Sequence, residues 1–263
     1  MELRAPTSWQ CIDFISDLHL QVSEQLNFAG FRGYLERTCA DAVFILGDLF
    51  EVWVGDDILS TRTGFEWECS QALRSTSDRL SVYVMQGNRD FLMGDDLMQA
   101  CGATLLDDPT VLTFGGTRWL LTHGDALCLA DSGYIQFRSV VRTANWQQEF
   151  LAKPLQDRLD LARAMREQSE SRKQANAVVA DVDPAETLRC LQEAHAHHIV
   201  HGHTHKPCDH DVPGYGKRFV LSDWDLTAPR PRAEVLRVCI PDGKAGEPSV
   251  KRIDPLSAAS LQG

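Results

Sequence analysis

Five short apolar runs, at 11–16, 42–46, 81–85, 119–122 and 198–200, each stop directly at a cluster of polar, metal-capable side chains. The clusters are Asp17-Leu18-His19, Gly47-Asp48-Leu49-Phe50-Glu51, Gly87-Asn88-Arg89-Asp90, His123-Gly124-Asp125 and His201-Gly202-His203-Thr204-His205. Runs of this length, rich in β-branched and aromatic residues and separated by helical stretches, are the pattern of buried strands in a layered α/β protein. In such folds ligands collect beyond the carboxyl ends of the strands, so five polar clusters at five strand ends predict one shared site.

Composition narrows what that site can serve. With 263 residues, 43% hydrophobic and 24% charged, the chain can bury a sizeable core as one α/β domain carrying an insertion, and it is neither disordered nor fibrous. Its 26 Lys and Arg face 37 Asp and Glu, a net charge of −11, which opposes a surface built to track nucleic acid. No apolar run approaches the roughly 18 residues that span a bilayer. The first ten residues have no apolar segment of the secretory type, so a soluble, unexported protein is expected. Eight cysteines without a Cys-x-x-Cys pair are too dilute for a disulfide framework and are expected to be reduced thiols.

The alternation of strands and helices breaks at residue 132. Tyr134, Phe137, Val140, Val141, Trp146, Phe150, Leu151, Leu155, Leu159, Leu161 and Met165 recur near helical spacing, which predicts two or three amphipathic helices. The expected organisation is a core of 1–131 and 177–245, a helical cap insertion of 132–176, and a tail of 246–263. Between 132 and 175 eight basic residues outnumber five acidic ones, a local excess within an acidic chain. Beyond His205, Arg218 to Leu221 and Ala233 to Ile240 read as strands, consistent with a second sheet packed on the first.

Asp17 and His19, spaced i, i+2 at a strand end, can leave one face toward one ion, and His203 and His205 repeat the arrangement. Imidazole and carboxylate without thiolate suit Mn²⁺, Fe or Zn²⁺. Asp17, His19, Asp48, Asn88, His123, His203 and His205 are seven candidate ligands, more than one ion with an open position can use. Two ions sharing a carboxylate would use all seven, and such pairs are the usual machinery of phosphate ester hydrolysis.

These blocks, Asp-x-His, Gly-Asp, Gly-Asn, an isolated His and Gly-His-x-His, resemble those of the calcineurin-like metallophosphoesterases, in order, from about residue 12 to 206. The resemblance implies an α/β/β/α four-layer sandwich with two metal ions at the strand ends. Asp17, His19 and His205 would hold the first ion, Asn88, His123 and His203 the second, and Asp48 would bridge them.

One departure from the common pattern is chemical. Many members carry Gly-Asn-His-Glu, whose His helps protonate an alkoxide leaving group; here the block is Gly87-Asn88-Arg89-Asp90. Arginine stays charged and binds phosphate oxygens with a planar fork, so the leaving group it suits is itself a phosphate, and the bond cleaved a pyrophosphate. Glu51, Asp56 and Asp57 read as parts of a packed loop without a catalytic role.

The variant blocks, with Trp53-Val54-Gly55-Asp56-Asp57 and Thr122 to Cys128, are similar to the branch of the family that hydrolyses UDP-2,3-diacylglucosamine in lipid A synthesis in Gram-negative bacteria. That branch implies two Mn²⁺ ions, an activated hydroxide attacking the α-phosphorus, and UMP and 2,3-diacylglucosamine 1-phosphate as products. It also implies a cap for the acyl chains and peripheral attachment to the cytoplasmic face of the inner membrane. Asn88, Arg89 and His203 would then act in catalysis, and with Asp131, Ser169 and Lys173 would contact the substrate. The residues after Ser169 do not reproduce the relatives' spacing. A metallophosphoesterase for a soluble nucleotide or phosphodiester, a nuclease and a non-catalytic scaffold of the same fold are the alternatives.

Overall fold

In a computed structural model of the chain, residues 1–175, 181–241 and 248–257 are described, the stretch 167–175 by its backbone alone. The described strands form two six-stranded sheets. In the first, β2 (Cys11–Ile15), β3 (Ala42–Leu46), β4 (Ser81–Met85) and β5 (Thr104–Leu106) run parallel. Beyond β2 this sheet continues with the antiparallel strands β11 (Val235–Cys239) and β12 (Ser249–Ile253). The second sheet has the order β1 (Glu2–Arg4), β6 (Thr110–Phe114), β7 (Thr117–Thr122), β8 (His198–His201), β10 (Lys217–Val220) and β9 (Cys208–Asp211).

Strand β3 shows why the layers stack. Its side chains alternate between faces, as the pleat requires: Ala42, Phe44 and Leu46 turn to the core between the sheets, while Val43 and Ile45 face the helices. All five are buried, so the strand is apolar on both faces and must be covered on both. Phe14, Phe44, Trp119, Leu121 and Phe219 fill the middle layer. Helices α1 (Gln25–Arg37), α2 (Phe65–Ser77) and α3 (Asp95–Cys101) cover the outside of the first sheet through Phe31, Leu35, Leu73 and Leu97.

Three further helices, α4 (Ser132–Val141), α5 (Ala144–Leu151) and α6 (Leu155–Ala175), follow in succession, and α7 (Pro184–Ala194) covers the second sheet through Leu191. The start of α7 is written locally: Asp183 caps it by accepting from the Glu186 amide at 2.9 Å, and Pro184 occupies the first turn, where its missing N–H costs nothing.

The result is the α/β/β/α sandwich that the resemblance implies, with departures from the finer sequence reading. The five strands carrying polar clusters are divided between the sheets, β2, β3 and β4 in one and β7 and β8 in the other. The strands after His205 do not build a sheet of their own; β9 and β10 extend the second sheet and β11 the first, because each finds an unpaired edge with an apolar inner face. Finally, Cys11 and Cys239 form a disulfide, so the cysteines are not uniformly reduced thiols. These two residues are directly opposite each other in the β2–β11 register, a proximity that a separation of 228 residues conceals.

Candidate metal centre

Because β2 and β3 are parallel neighbours, their C-terminal ends deliver two clusters side by side. Pairing continues past the strands: the amides of Asp17, His19 and Leu20 donate to the carbonyls of Gly47, Asp48 and Leu49 at 3.1, 3.0 and 2.9 Å. From the other sheet, the Gly202 amide donates to the His123 carbonyl at 3.0 Å, fixing the β7 and β8 clusters together. The two pairs of loops meet where the sheets converge. There the His203 amide donates to both carboxylate oxygens of Asp17, at 3.1 and 2.9 Å.

Backbone conformation marks the same residues. Six described non-glycine residues have φ in the left-handed region. Asp17 (53°), His19 (48°), Asp48 (52°), His203 (67°) and His205 (53°) are five of them, and the sixth, His195, ends α7. Each such residue costs on the order of 1–3 kcal/mol and persists only where its surroundings enforce it, as at a functional site. Glycine makes the convergence possible. Gly47 has φ of 89°, and a Cβ there would strike the His123 ring and lie 2.8 Å from the Gly87 Cα; a Cβ on Gly202 would run into Ser16 and Asp17.

The seven residues picked out by spacing are brought together. Asp17 Oδ1 lies 3.2 Å from His205 Nε2 and 4.0 Å from His19 Nε2, and the two imidazole nitrogens are 3.3 Å apart. Asp48 spans the centre, with Oδ2 3.9 Å from His19 Nε2 and Oδ1 3.7 Å from His123 Nε2. Asn88 Oδ1 is 3.0 Å from His123 Nε2 and 2.8 Å from His203 Nδ1. Asp17, His19 and His205, and likewise Asp17, Asp48 and His123, place their ligand atoms within 4.8 Å of one another.

Three oxygen and four nitrogen donors, with no thiolate, fit a pair of divalent ions. His123 supports this fit, since its Nδ1 donates to the Leu46 carbonyl at 2.9 Å and leaves Nε2 to face the cluster.

Electrostatics agree. Burial alone would disfavour a charged Asp17, yet His205, His123 and His19 hold its carboxyl well below the usual range. Burial also opposes charge on His19, but Glu51, Asp48 and Asp17 push it up to about 9. His123 is likewise raised to about 9, mainly by Asp48 and Asp17 acting against its burial. The cluster is thus an anionic well that recruits cations.

The remaining sequence candidates fall elsewhere. Arg89 donates its amide to Asp48 Oδ1 at 2.8 Å and points its guanidinium at Glu51, 3.4 Å away. Asp131 is exposed and caps α4, accepting from the Tyr134 amide at 3.0 Å. Ser169 and Lys173 are in α6, where their side chains lie outside the described residues.

Several contacts escaped the sequence reading. Glu51, read as a packed-loop residue, has Oε2 2.8 Å from His19 Nδ1. Tyr134 stacks on the His203 ring, with centroids 6.0 Å apart, and its hydroxyl donates to buried Asp125, which also accepts from Arg138 Nε at 2.8 Å. Arg142 donates to Gln86 Oε1 at 3.0 Å and to the Gly87 carbonyl at 2.8 Å, and Arg166 of α6 reaches Glu51 Oε1 at 3.2 Å. Helix α4 therefore touches the metal cluster directly, and α6 reaches it through Glu51. Position three after Asp48 was a usable signal for Glu51; nothing in the spacing announced the helical contacts.

A model of the calcineurin-like phosphoesterase family matches residues 12–207. A UDP-2,3-diacylglucosamine hydrolase of Chromohalobacter salexigens is 44% identical over 80% of this chain and 87% of its own length. A protein of the same name from Bordetella pertussis is 40% identical over 80% of this chain and 84% of its own. Among solved structures, a zinc complex of Vps29 from Entamoeba histolytica aligns over 93% of this chain and 99% of its own, at 14% identity and a TM-score of 0.44.

Proposed function

The chain belongs to the calcineurin-like phosphoesterase family, and from that premise we propose that it hydrolyses the pyrophosphate of UDP-2,3-diacylglucosamine to UMP and 2,3-diacylglucosamine 1-phosphate. The observation that carries this reading is the position of Arg89, one residue after the ligand Asn88 and bonded through its amide to Asp48. A guanidinium there cannot protonate a leaving group, but it can neutralise one that departs as a phosphate.

Asp17, His19, Asp48 and His205 would hold one ion, and Asp48, Asn88, His123 and His203 the other; Mn²⁺ suits this set. Bound ions would supply an activated water and neutralise charge on the phosphoryl oxygens. The protein's part is to hold that geometry: strained loops fix the ligands, Arg89 orients the scissile phosphates, and the ring of Tyr134 closes one side of His203. Asn88, Arg89 and His203 are the proposed catalytic contacts. Asp131, Ser169 and Lys173 are the proposed contacts to the rest of the substrate.

Residues 132–176 would form a cap on a core of 1–131 and 177–245; the expected tail of 246–263 instead contributes Ser249–Ile253 to that core, paired with β11 in the first sheet because Ile253 buries its side chain there. Phe137, Val140, Leu151, Leu161 and Met165 on α4, α5 and α6 are exposed, and apolar side chains on these helices would suit acyl chains. No described helix is long and apolar enough to cross a membrane. Access to a diacylated substrate would then come from peripheral binding at the cytoplasmic face of the inner membrane, through these side chains and the basic residues of the insertion.

The test is a product assay by mass spectrometry with Mn²⁺ and UDP-2,3-diacylglucosamine in heavy-oxygen water. UMP carrying the label is expected. Absence of UMP, from protein that binds metal and cleaves a generic phosphodiester, would replace the lipid substrate by a soluble one.

A further inference from the structure

Glu51 connects His19, Arg89 and the helical insertion. It is 6% exposed, and its amide donates to the Leu20 carbonyl at 3.2 Å, which fixes it beside the loop that carries His19. Its Oε2 is 2.8 Å from His19 Nδ1, while Nε2 of the same ring faces Asp17, Asp48 and His205. Its Oε1 lies 3.4 Å from Arg89 Nη1 and 3.2 Å from Arg166 Nε. A buried carboxylate needs charge partners, and neutral packing would have served a merely structural loop better.

We propose that Glu51 is a positioning residue: one oxygen sets His19 with its Nε2 lone pair toward the first ion, and the other holds Arg89 and the helical insertion against the same centre. The ring nitrogen a histidine offers to an ion is decided by the partner its other nitrogen faces, here the Glu51 carboxylate at ion-pair distance, and loss of such a partner weakens metal binding about 10–100-fold. His123 has a neutral partner in that role, the Leu46 carbonyl. Glu51 therefore acts on one ion of the pair and not equally on both. The arginine half of the inference rests on the proposed phosphate chemistry; the histidine half does not.

The experiment is a Mn²⁺ titration of the metal-free full-length protein, read by electron paramagnetic resonance without substrate, for the wild type and Glu51→Gln. The expected result is a Kd raised about 10-fold or more for one class of ion and changed less than about twofold for the other. At saturating Mn²⁺, kcat for UDP-2,3-diacylglucosamine should fall more than KM rises, as Arg89 loses its anchor beside the developing phosphate charge. Glu51→Asp, which keeps the buried charge but withdraws it from His19, should show the same selective Mn²⁺ loss and serves if the Gln variant does not fold. Unchanged Kd values, or equal weakening of both ions, would overturn the proposal. A wild type that binds two ions normally yet leaves UDP-2,3-diacylglucosamine intact would overturn the substrate assignment alone, since the Mn²⁺ titration needs no substrate.

Discussion

Asp48 and Arg89 are neighbours in space and opposite in expected phenotype. Asp48 reaches toward His19 with one oxygen and His123 with the other, so Asp48→Ala should release both ions and abolish turnover; metal content by mass spectrometry alongside an activity assay checks this. Near-normal activity in that variant would rule out a shared carboxylate. Arg89 touches the cluster through its backbone amide, which any residue supplies. Arg89→Ala should therefore keep its metal while turnover falls about 100-fold or more, the usual effect of removing one charged donor from a developing phosphate charge. Loss of metal in that variant would make Arg89 a structural part of the centre instead.

At the scale of elements, the three helices after residue 131 are tied to the core by arginines. Arg142, just past the end of α4, donates to Gln86 and to the Gly87 carbonyl and lies over the Phe91 ring at 5.2 Å. Arg158 of α6 is buried and donates to the Val54 carbonyl and to Asp57. Arg142→Ala should cost about 1 kcal/mol, the low end of the penalty for leaving acceptors, here half-buried, without a donor. Urea unfolding measures that cost. The same variant should raise KM with metal content unchanged, because the Gly87-Asn88 turn keeps Asp90, which accepts from the Gly87 amide at 2.7 Å. Metal loss in Arg142→Ala would show that the helices help build the centre.

For the molecule as a whole, pH stability should follow a buried residue near the metal ligands. Burial, with the Arg218 guanidinium 3.4 Å from Nε2, lowers His201 to about 4. Its folded value lies below the unfolded one near 6.5, so the His201 contribution to stability is complete above about pH 6.5 and is lost as pH falls toward 4. The shift corresponds to about 3 kcal/mol. His201→Gln should flatten the slope of unfolding free energy over that interval; an unchanged slope would assign the acid sensitivity elsewhere. In the first sheet, Arg237 donates to both oxygens of Asp13 at 2.7 and 2.8 Å with neither residue exposed. Asp13→Ala would leave a buried cation unpaired and should destabilise the chain by about 3–5 kcal/mol in the same unfolding assay.

Local pattern by itself determined the strands, the polar clusters at their ends and the seven ligand candidates. Short apolar runs rich in β-branched and aromatic residues and ended by polar or glycine residues favour strands over helix, and the donor types at their ends limit the chemistry. Arg89 was legible for the same reason, since its charge and planarity are intrinsic. Tertiary structure decided the rest. Whether two strands share a sheet depends on which edges remain unpaired after the others have joined, so the division of the five clusters between two sheets had no local signature. The Cys11–Cys239 pairing depends on a strand register set 228 residues apart. Glu51 looked like loop filler because its role is relational: only the pairing of Leu20 with Phe50 carries it to His19, and only the docking of α6 brings Arg166 to its other oxygen.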